Sequence, residues 1–426
     1  MSLFSSLYAG ASGLNANSLE LAVVGDNIAN ANTIGFKASR AAFADALAEN
    51  MIGAGQRGTG TQVQAIQRLF RQGATLGTGN STDLAIEGAG FFVVKGERGG
   101  IGGNFFTRAG QFTVDNDGYL ATLDGLRLQG YPADPTGAIS RTIGDLQLAG
   151  ISSPPNATTE IVMKANLQAD ATIPAPFDPT DPANTSNFNS AITIYDSLGT
   201  AHHVDVYFSK TGAGTWEWHA LVDGGTLAGG TAGTPTEIAS GTLTFDGAGK
   251  LVSQTQTSSF TPAGALSPQA LSFDFGDPLS TGGTGLAGIT QFSSPSAMKF
   301  QNQDGYSAGS FASVSIDENG LITGTFTNGH SRSLGQLVLA NFQAPDQLER
   351  LGGNLFAATR ASGPATIGLA STGGRGAIAS GALEQSTVDI ANEFIRMIAA
   401  QRGFQANSKT LTTADQLLAD LIQIKR

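Results

Sequence analysis

Apolar residues recur every seven positions at both ends of this 426-residue chain. Near the start they are Leu7, Leu14, Leu21 and Ile28; near the end they are Ile390, Met397, Phe404, Leu411 and Leu418. Leu3, Ala11 and Val24 fill neighbouring slots of the first stripe, and Phe394, Ile398, Leu421 and Ile422 widen the second. A seven-residue repeat returns to one side of a helix every two turns, the period of a coiled coil. Burying one such side chain is worth about 1.5–3 kcal/mol, and an isolated helix of this length is marginal in water. Each stripe therefore needs a partner: the other terminus in an intramolecular helical hairpin, or helices of neighbouring subunits as well. Small residues beside the stripes (Ala9, Gly10, Ala11 and Gly13; Ala399, Ala400, Gly403 and Ala406) permit close approach of several helices. Ser386, three residues before Asp389, predicts a capping-box-like start for the second helix. The helical segments, 1–30 and 385–426, are expected to be mobile in a monomer and helical in a polymer, because their burial depends on neighbours.

The first stripe runs into NIANANTIGFK, residues 27–37. Asn27, Ala29 and Asn30 are followed by Thr33, Gly35, Phe36 and Lys37. Asn30, Asn32 and Thr33 can bond the backbone groups that a helix end leaves free. Gly35 can supply a turn, and Phe36 can anchor the next segment in an adjacent core.

Between the helical ends the pattern changes to short alternating runs, such as Ala191–Tyr195, Val204–Phe208 and Gly335–Leu339. A weak internal repeat appears as VDNDGYL from Val114, FDGAGKL from Phe245 and IDENGLI from Ile316. Its Asp can accept backbone hydrogen bonds across a type I turn, and its Gly can take the left-handed position that closes a bulged hairpin. The fold class expected is mainly β with α-helical termini. The ends, 1–30 and 385–426, form a coiled-coil-like inner domain. An irregular linker comes next at 31–71 and 356–384, then an inner β-domain at 72–145 and 291–355. The Gly-, Thr- and Ser-rich block 146–290 reads as an inserted outer β-domain.

Few chemistries fit these residues. The net charge is -11 without a basic cluster, which disfavours nucleic acid and anionic membrane as partners. No apolar run approaches the roughly 20 residues of a membrane span. The opening MSLFSSLYAGASG has no basic region before an apolar stretch, so a cleavable secretory signal is not expected. With no cysteine, disulfides and thiolate chemistry are excluded. Gly283-Thr284-Gly285-Leu286-Ala287-Gly288 matches a dinucleotide fingerprint but lacks the strand and helix that would make one. His202 and His203 are adjacent on an expected strand and so face opposite ways. No catalytic, cofactor-binding or metal residues are expected. Charged residues are only 13% of the chain, about half the usual share, so much of its surface is neutral and inexpensive to desolvate.

NIANANTIGFK resembles the signature of the bacterial flagellar rod and hook proteins: Asn-hydrophobic-Ala-Asn, a spacer, then Thr-x-Gly-aromatic-Lys. Asp26 stands where that family often has another Asn. TDLAIEGAGFFVV from Thr82 and FTRAGQFTVDNDGYL from Phe106 resemble the inner β-domain of the hook branch. So do YSAGSFASVSIDENGLITGTFTNG from Tyr306 and GQLVLANFQAPDQLERLGGNLF from Gly335. The segment from Ser380 resembles its C-terminal helix. The resemblance implies a non-enzymatic, cofactor-free subunit that polymerises with itself into a curved flexible tube and passes motor torque to the filament. It implies as partners the distal rod protein, the hook cap, the hook–filament junction protein and the flagellar type III export apparatus, with the assembled product outside the cell. Phe43 and Leu47 resemble the element by which early export substrates engage the export gate; a short amphipathic helical turn is the other reading. Rival readings are a distal rod protein, which resembles a shorter chain without a large outer domain, a secreted β-rich adhesin, which has no need of terminal heptads, and a secreted hydrolase, for which no motif occurs.

Overall fold

The computed structural model describes residues 3–47 and 58–424. Helix α1 spans Leu3–Ala29 and helix α2 spans Ile390–Ile424, so both stripes are helical over their described length. Asp389, not Ser386, caps α2: its carboxylate accepts the N–H groups of Ala391 at 3.0 Å and Asn392 at 3.2 Å. Ser386 instead accepts the N–H of Val388. A carboxylate one residue before the helix reaches the free N–H groups of the first turn and also suits the positive end of the helix dipole.

The chain divides into two compact units. The first comprises 1–151, 313–325 and 331–426. Its strands β1 (Ser39–Leu47) and β2 (Gly58–Arg68) pair antiparallel, Ser39 opposite Arg68. Strands β3 (Thr75–Gly77) and β4 (Leu84–Glu87) pair with the returning segments Ala382–Glu384 and Ala377–Ser380. The stretches 31–71 and 356–384, expected to be an irregular linker, therefore carry regular strands. The β1–β2 pairing is local, but the segments 377–380 and 382–384 pair with strands about 300 residues away, a distance that no local period announces. The segment Ser39–Leu47 is extended, which removes the helical-turn reading of Phe43 and Leu47.

Strands β5 (Phe91–Arg98) and β6 (Ile101–Thr107) form a hairpin, with Val94 opposite Phe105. The strand Ser331–Asn341 joins β5 through Leu339 and Phe92 and also pairs with Thr366–Leu369. One core of this unit is phenylalanine-rich: Phe91, Phe106, Phe342 and Phe356 are buried, with Phe70 packed against them. Their rings meet edge to face, Phe106 on Phe342 at 4.8 Å and Phe70 on Phe91 at 5.3 Å. That geometry suits the aromatic quadrupole.

The second unit comprises 152–312 and 326–330, so the inserted block extends further toward the C-terminus than the expected 146–290. Five strands from Phe188 to Gln254 form an antiparallel meander. A second sheet is built on Glu160–Gln168, which pairs parallel with Ser272–Asp274 and Thr290–Phe292 and antiparallel with Ala297–Gln303. The two sheets share one core in which Trp216, Trp218, Phe208 and Phe260 are fully buried. Along Ala201–Gly212, His202 is buried and His203 exposed, as strand alternation requires.

The internal repeat is a turn in all three places. Asp115 accepts the N–H groups of Asp117 and Tyr119, Asp246 those of Ala248 and Lys250, and Asp317 those of Asn319 and Leu321, all at 2.8–3.0 Å. The glycine three residues after each Asp is left-handed, with φ of 86° at Gly118 and 77° at Gly249 and Gly320. Asp134 and Asp196 make the same turn, two copies that the apolar spacing did not reveal.

Candidate functional site at the joint of the terminal helices

Helices α1 and α2 pack on each other within the first unit. The seam, however, is made mostly of residues other than the heptad ones. The buried line of α1 is Gly10, Gly13, Ala16, Val23, Val24 and Asn27, while Leu7, Leu14, Leu21 and Ile28 are half-buried beside it. The buried positions of α2 are Glu393, Ala400 and Ala414. A Cβ on Gly13 would lie 2.5 Å from the Asn407 amide, and one on Gly403 would lie 2.5 Å from Asn17. Small residues let the two backbones approach closely, and so the larger side chains are displaced to the flanks.

The consequence is an apolar face on α2 that the described residues leave uncovered. Ile395 is 66% exposed, Ile398 52% and Phe394 48%, with Ile390 and Phe404 also exposed. Met397, Leu411 and Leu418 are half-buried. Leu411 lies against Gly10. On β1, Phe43 is exposed, and Leu47 closes that strand at the edge of the described residues.

The motif at 27–37 forms the joint between α1 and the strands. Asn27 is fully buried near the end of the helix. Its amide nitrogen donates to the Ser39 carbonyl at 2.8 Å and its amide oxygen accepts the Ser39 N–H at 2.9 Å. The same nitrogen reaches the Glu393 carboxylate on α2 at 3.2 Å. Asn30 donates to the Asp26 carbonyl twice at the helix end, from its side-chain amide at 2.8 Å and from its backbone N–H at 3.2 Å. Thr33 donates to Asn30, while Ala29 is exposed. Gly35 takes a φ of 70°, and a Cβ there would sit 2.7 Å from backbone atoms of Arg108 and Ala109. Glycine is required by both conformation and space. Phe36 is buried, and the Arg350 guanidinium lies 5.3 Å over its ring.

The returning strand meets this outgoing segment directly. Gly35 donates its N–H to the Glu384 carbonyl at 2.7 Å, and Thr387 donates its N–H to the Phe36 carbonyl at 3.1 Å. The Thr387 hydroxyl accepts the N–H of Ala38 at 3.0 Å. Lys37 and Glu384 form an ion pair at 2.7 Å with both side chains fully buried. Arg108 approaches the other Glu384 oxygen at 3.4 Å. Gly73 donates its N–H to Glu384 at 2.8 Å, Lys37 donates to the Arg71 carbonyl at 2.6 Å, and Arg108 donates to the Gly88 carbonyl at 2.7 Å. Burial pushes the Lys37 ammonium below its ordinary value, against the pull of Glu384. Glu384, Arg108, Ser39, Thr387 and Glu393 were not singled out by sequence reasoning. The available signal was Lys37 itself: a lysine closing a buried apolar motif demands a carboxylate, although its address is 347 positions away.

This joint holds hydrogen bonds and charges in fixed geometry. Among the described residues no group of three or more His, Asp or Glu side chains is placed to hold a metal, and no helix is long and apolar enough to cross a membrane. The joint is built to connect helices to strands.

Comparison with known proteins gives the same segments a common source. Residues 7–37 match a flagella basal body rod protein model, and residues 85–175 match a flagellar hook protein FlgE/F/G D1 domain. Residues 166–306 match a flagellar basal body protein FlaE D2 domain, and residues 379–424 match a flagellar basal body rod FlgEFG protein C-terminal model. The flagellar hook protein FlgE of Escherichia coli is 34% identical, over 97% of this chain and 98% of that protein. The hook proteins of Treponema pallidum and Rhizobium meliloti are 32% and 34% identical, over 99% and 100% of both chains respectively. The crystal structure of the Helicobacter pylori flagellar hook protein FlgE2 superposes with a TM-score of 0.50 at 16% identity, covering 73% of this chain and 100% of that one, a likeness of fold. With its end motifs, both β regions and near full-length identity to hook proteins, the chain belongs to the flagellar hook protein FlgE family and is a structural subunit of the bacterial flagellar hook.

Proposed function

We propose that copies of this chain polymerise into a short, curved tube that works as a universal joint, passing rotation from the motor to the filament. The observation that carries this reading is the uncovered apolar face of α2 at Phe394, Ile395 and Ile398. Leaving such side chains in water forgoes about 1.5–3 kcal/mol each, and helices of neighbouring copies supply the burial that one chain lacks. The polymer stays bendable because its contact surfaces carry few charges, the chain being 13% charged. Neutral polar contacts can shift by small steps without breaking strong ion pairs.

The same reading supplies the remaining partners. The subunit is exported unfolded through the flagellar type III apparatus, and Phe43 and Leu47 engage the export gate in that unfolded state. Outside the cell the polymer grows under the hook cap, starts on the distal rod protein and ends at the hook–filament junction protein. It performs no catalysis and uses no cofactor.

Electron microscopy of the concentrated protein, with swimming of a hook-deletion strain carrying the gene, tests the reading. Curved tubes and restored swimming are expected. The paired change Ile395→Asp and Ile398→Asp should abolish both while the strands stay folded by circular dichroism. Normal tubes from that variant would remove the apolar face from the account.

A further inference from the structure

In the cluster around Glu384 the buried charges do not balance. Lys37 and Arg108 are both buried, and Glu384 is the carboxylate that bridges them. Lys37 lies within the outgoing motif and Arg108 comes directly after β6, so both belong to the N-terminal part of the chain. Glu384 belongs to the strand Ala382–Glu384, which returns just before α2. Without Glu384 the site would hold two like charges out of water, with the carbonyls of Arg71, Gly88 and Ile86 and the face of the Phe91 ring as their remaining support. Removing one partner of a buried ion pair is strongly destabilising because the other charge stays uncompensated. Three of the bonds that seat residues 35–38 also end on this returning segment, at the Glu384 carbonyl and at the N–H and hydroxyl of Thr387.

We propose that Glu384 is the closing charge of a conditional joint: the segment carrying α1 into the strands seats only when the returning segment places Glu384 between Lys37 and Arg108. The two terminal helices are then fixed to the strands together or not at all. A chain that has not yet delivered its C-terminal segment keeps α1 unseated. Glu384 acts as a positioning residue. Its consequence for assembly rests on the hook-subunit reading, but the joint itself is a property of the single chain.

Hydrogen exchange on the full-length monomer tests this at the amides of Gly35, Ala38, Ser39 and Thr387. In Glu384→Gln these should exchange about 100-fold faster or more, the scale expected for a broken buried pair. Lys37→Met removes the surplus charge and leaves Glu384 paired with Arg108, so it should change exchange far less. Adding Lys37→Met to Glu384→Gln should restore part of the lost protection, because one buried cation instead of two is then left uncompensated. A purely steric role predicts the reverse, with the two changes adding. Equal opening in the two single variants, or a double variant worse than both, would overturn the proposal. So would unchanged protection in Glu384→Gln. If Glu384→Gln unfolds the strands as well, recovery of the fold in the double variant still decides for the charge, and its failure decides against. Tube formation is scored separately: exchange that behaves as expected in a protein that never forms tubes would count against the hook reading and leave the joint intact.

Discussion

The second unit and the terminal helices solve the same problem in opposite ways. The second unit covers Trp216, Trp218 and Phe208 completely with its own two sheets. The terminal helices fill their mutual seam with Gly10, Gly13, Ala400 and Gly403, and leave Ile395 and Ile398 outside. A core that closes within one chain gives an independently stable body. A seam of small residues buries little apolar area, so it holds two helices in register while leaving their large side chains outside it. On the function proposed above, those side chains serve assembly while the closed core serves stability.

The sharpest way to break this contrast is to alter each part and read both. Ile395→Asp with Ile398→Asp should eliminate polymer entirely and leave thermal unfolding of the strands unchanged. A lowered melting temperature would show that this face stabilises the monomer. Trp218→Ala should do the opposite, costing about 3–5 kcal/mol in the second unit through the cavity it leaves. Denaturant unfolding followed at Trp216 measures that loss, and a loss below about 1 kcal/mol would mean that this core is not closed.

Smaller effects probe the boundary between the two. Gly35→Ala forces a left-handed residue and a contact with the backbone of Arg108, at about 1–3 kcal/mol for the backbone alone. Limited proteolysis should then cut near residues 30–39 well before the strands, whereas the wild-type joint resists longer. Smallest is the effect of acid. The Asp134 carboxyl is held below the ordinary 3.8 first by the Thr136 hydroxyl and then by turn N–H groups. A depressed carboxyl contributes stability that is present above pH 3.8 and lost as pH falls through its folded value. Thr136→Val should therefore lower stability slightly at neutral pH, with the difference from wild type vanishing in strong acid. A difference that persists there would place the effect in packing.

Much of the plan is legible in the residue pattern. Two helices at the ends, strands between them and the Asp-x-x-Gly turns come from local periods, because helix and turn geometry is set by residues within a few positions of one another. The motif Asn27 to Lys37 is legible as a helix exit for the same reason, and Gly35 as its turn. The strands at 39–47 and 58–68 are not, because β1 runs through Ala41, Ala42, Phe43 and Ala44 without alternation and each strand depends on its partner for pairing.

The one-dimensional pattern by itself determined that both ends carry an apolar stripe and that the exit from α1 needs asparagine and glycine. Only the tertiary structure decided which residues meet. It placed the glycines in the seam and turned Phe394, Ile395 and Ile398 outward, since the closest approach of two helices is governed by their smallest side chains. It also chose Glu384 as the partner of Lys37. A charge pair across 347 positions has no local period to announce it, and the need for a counter-charge in a dry site is met wherever the fold brings one.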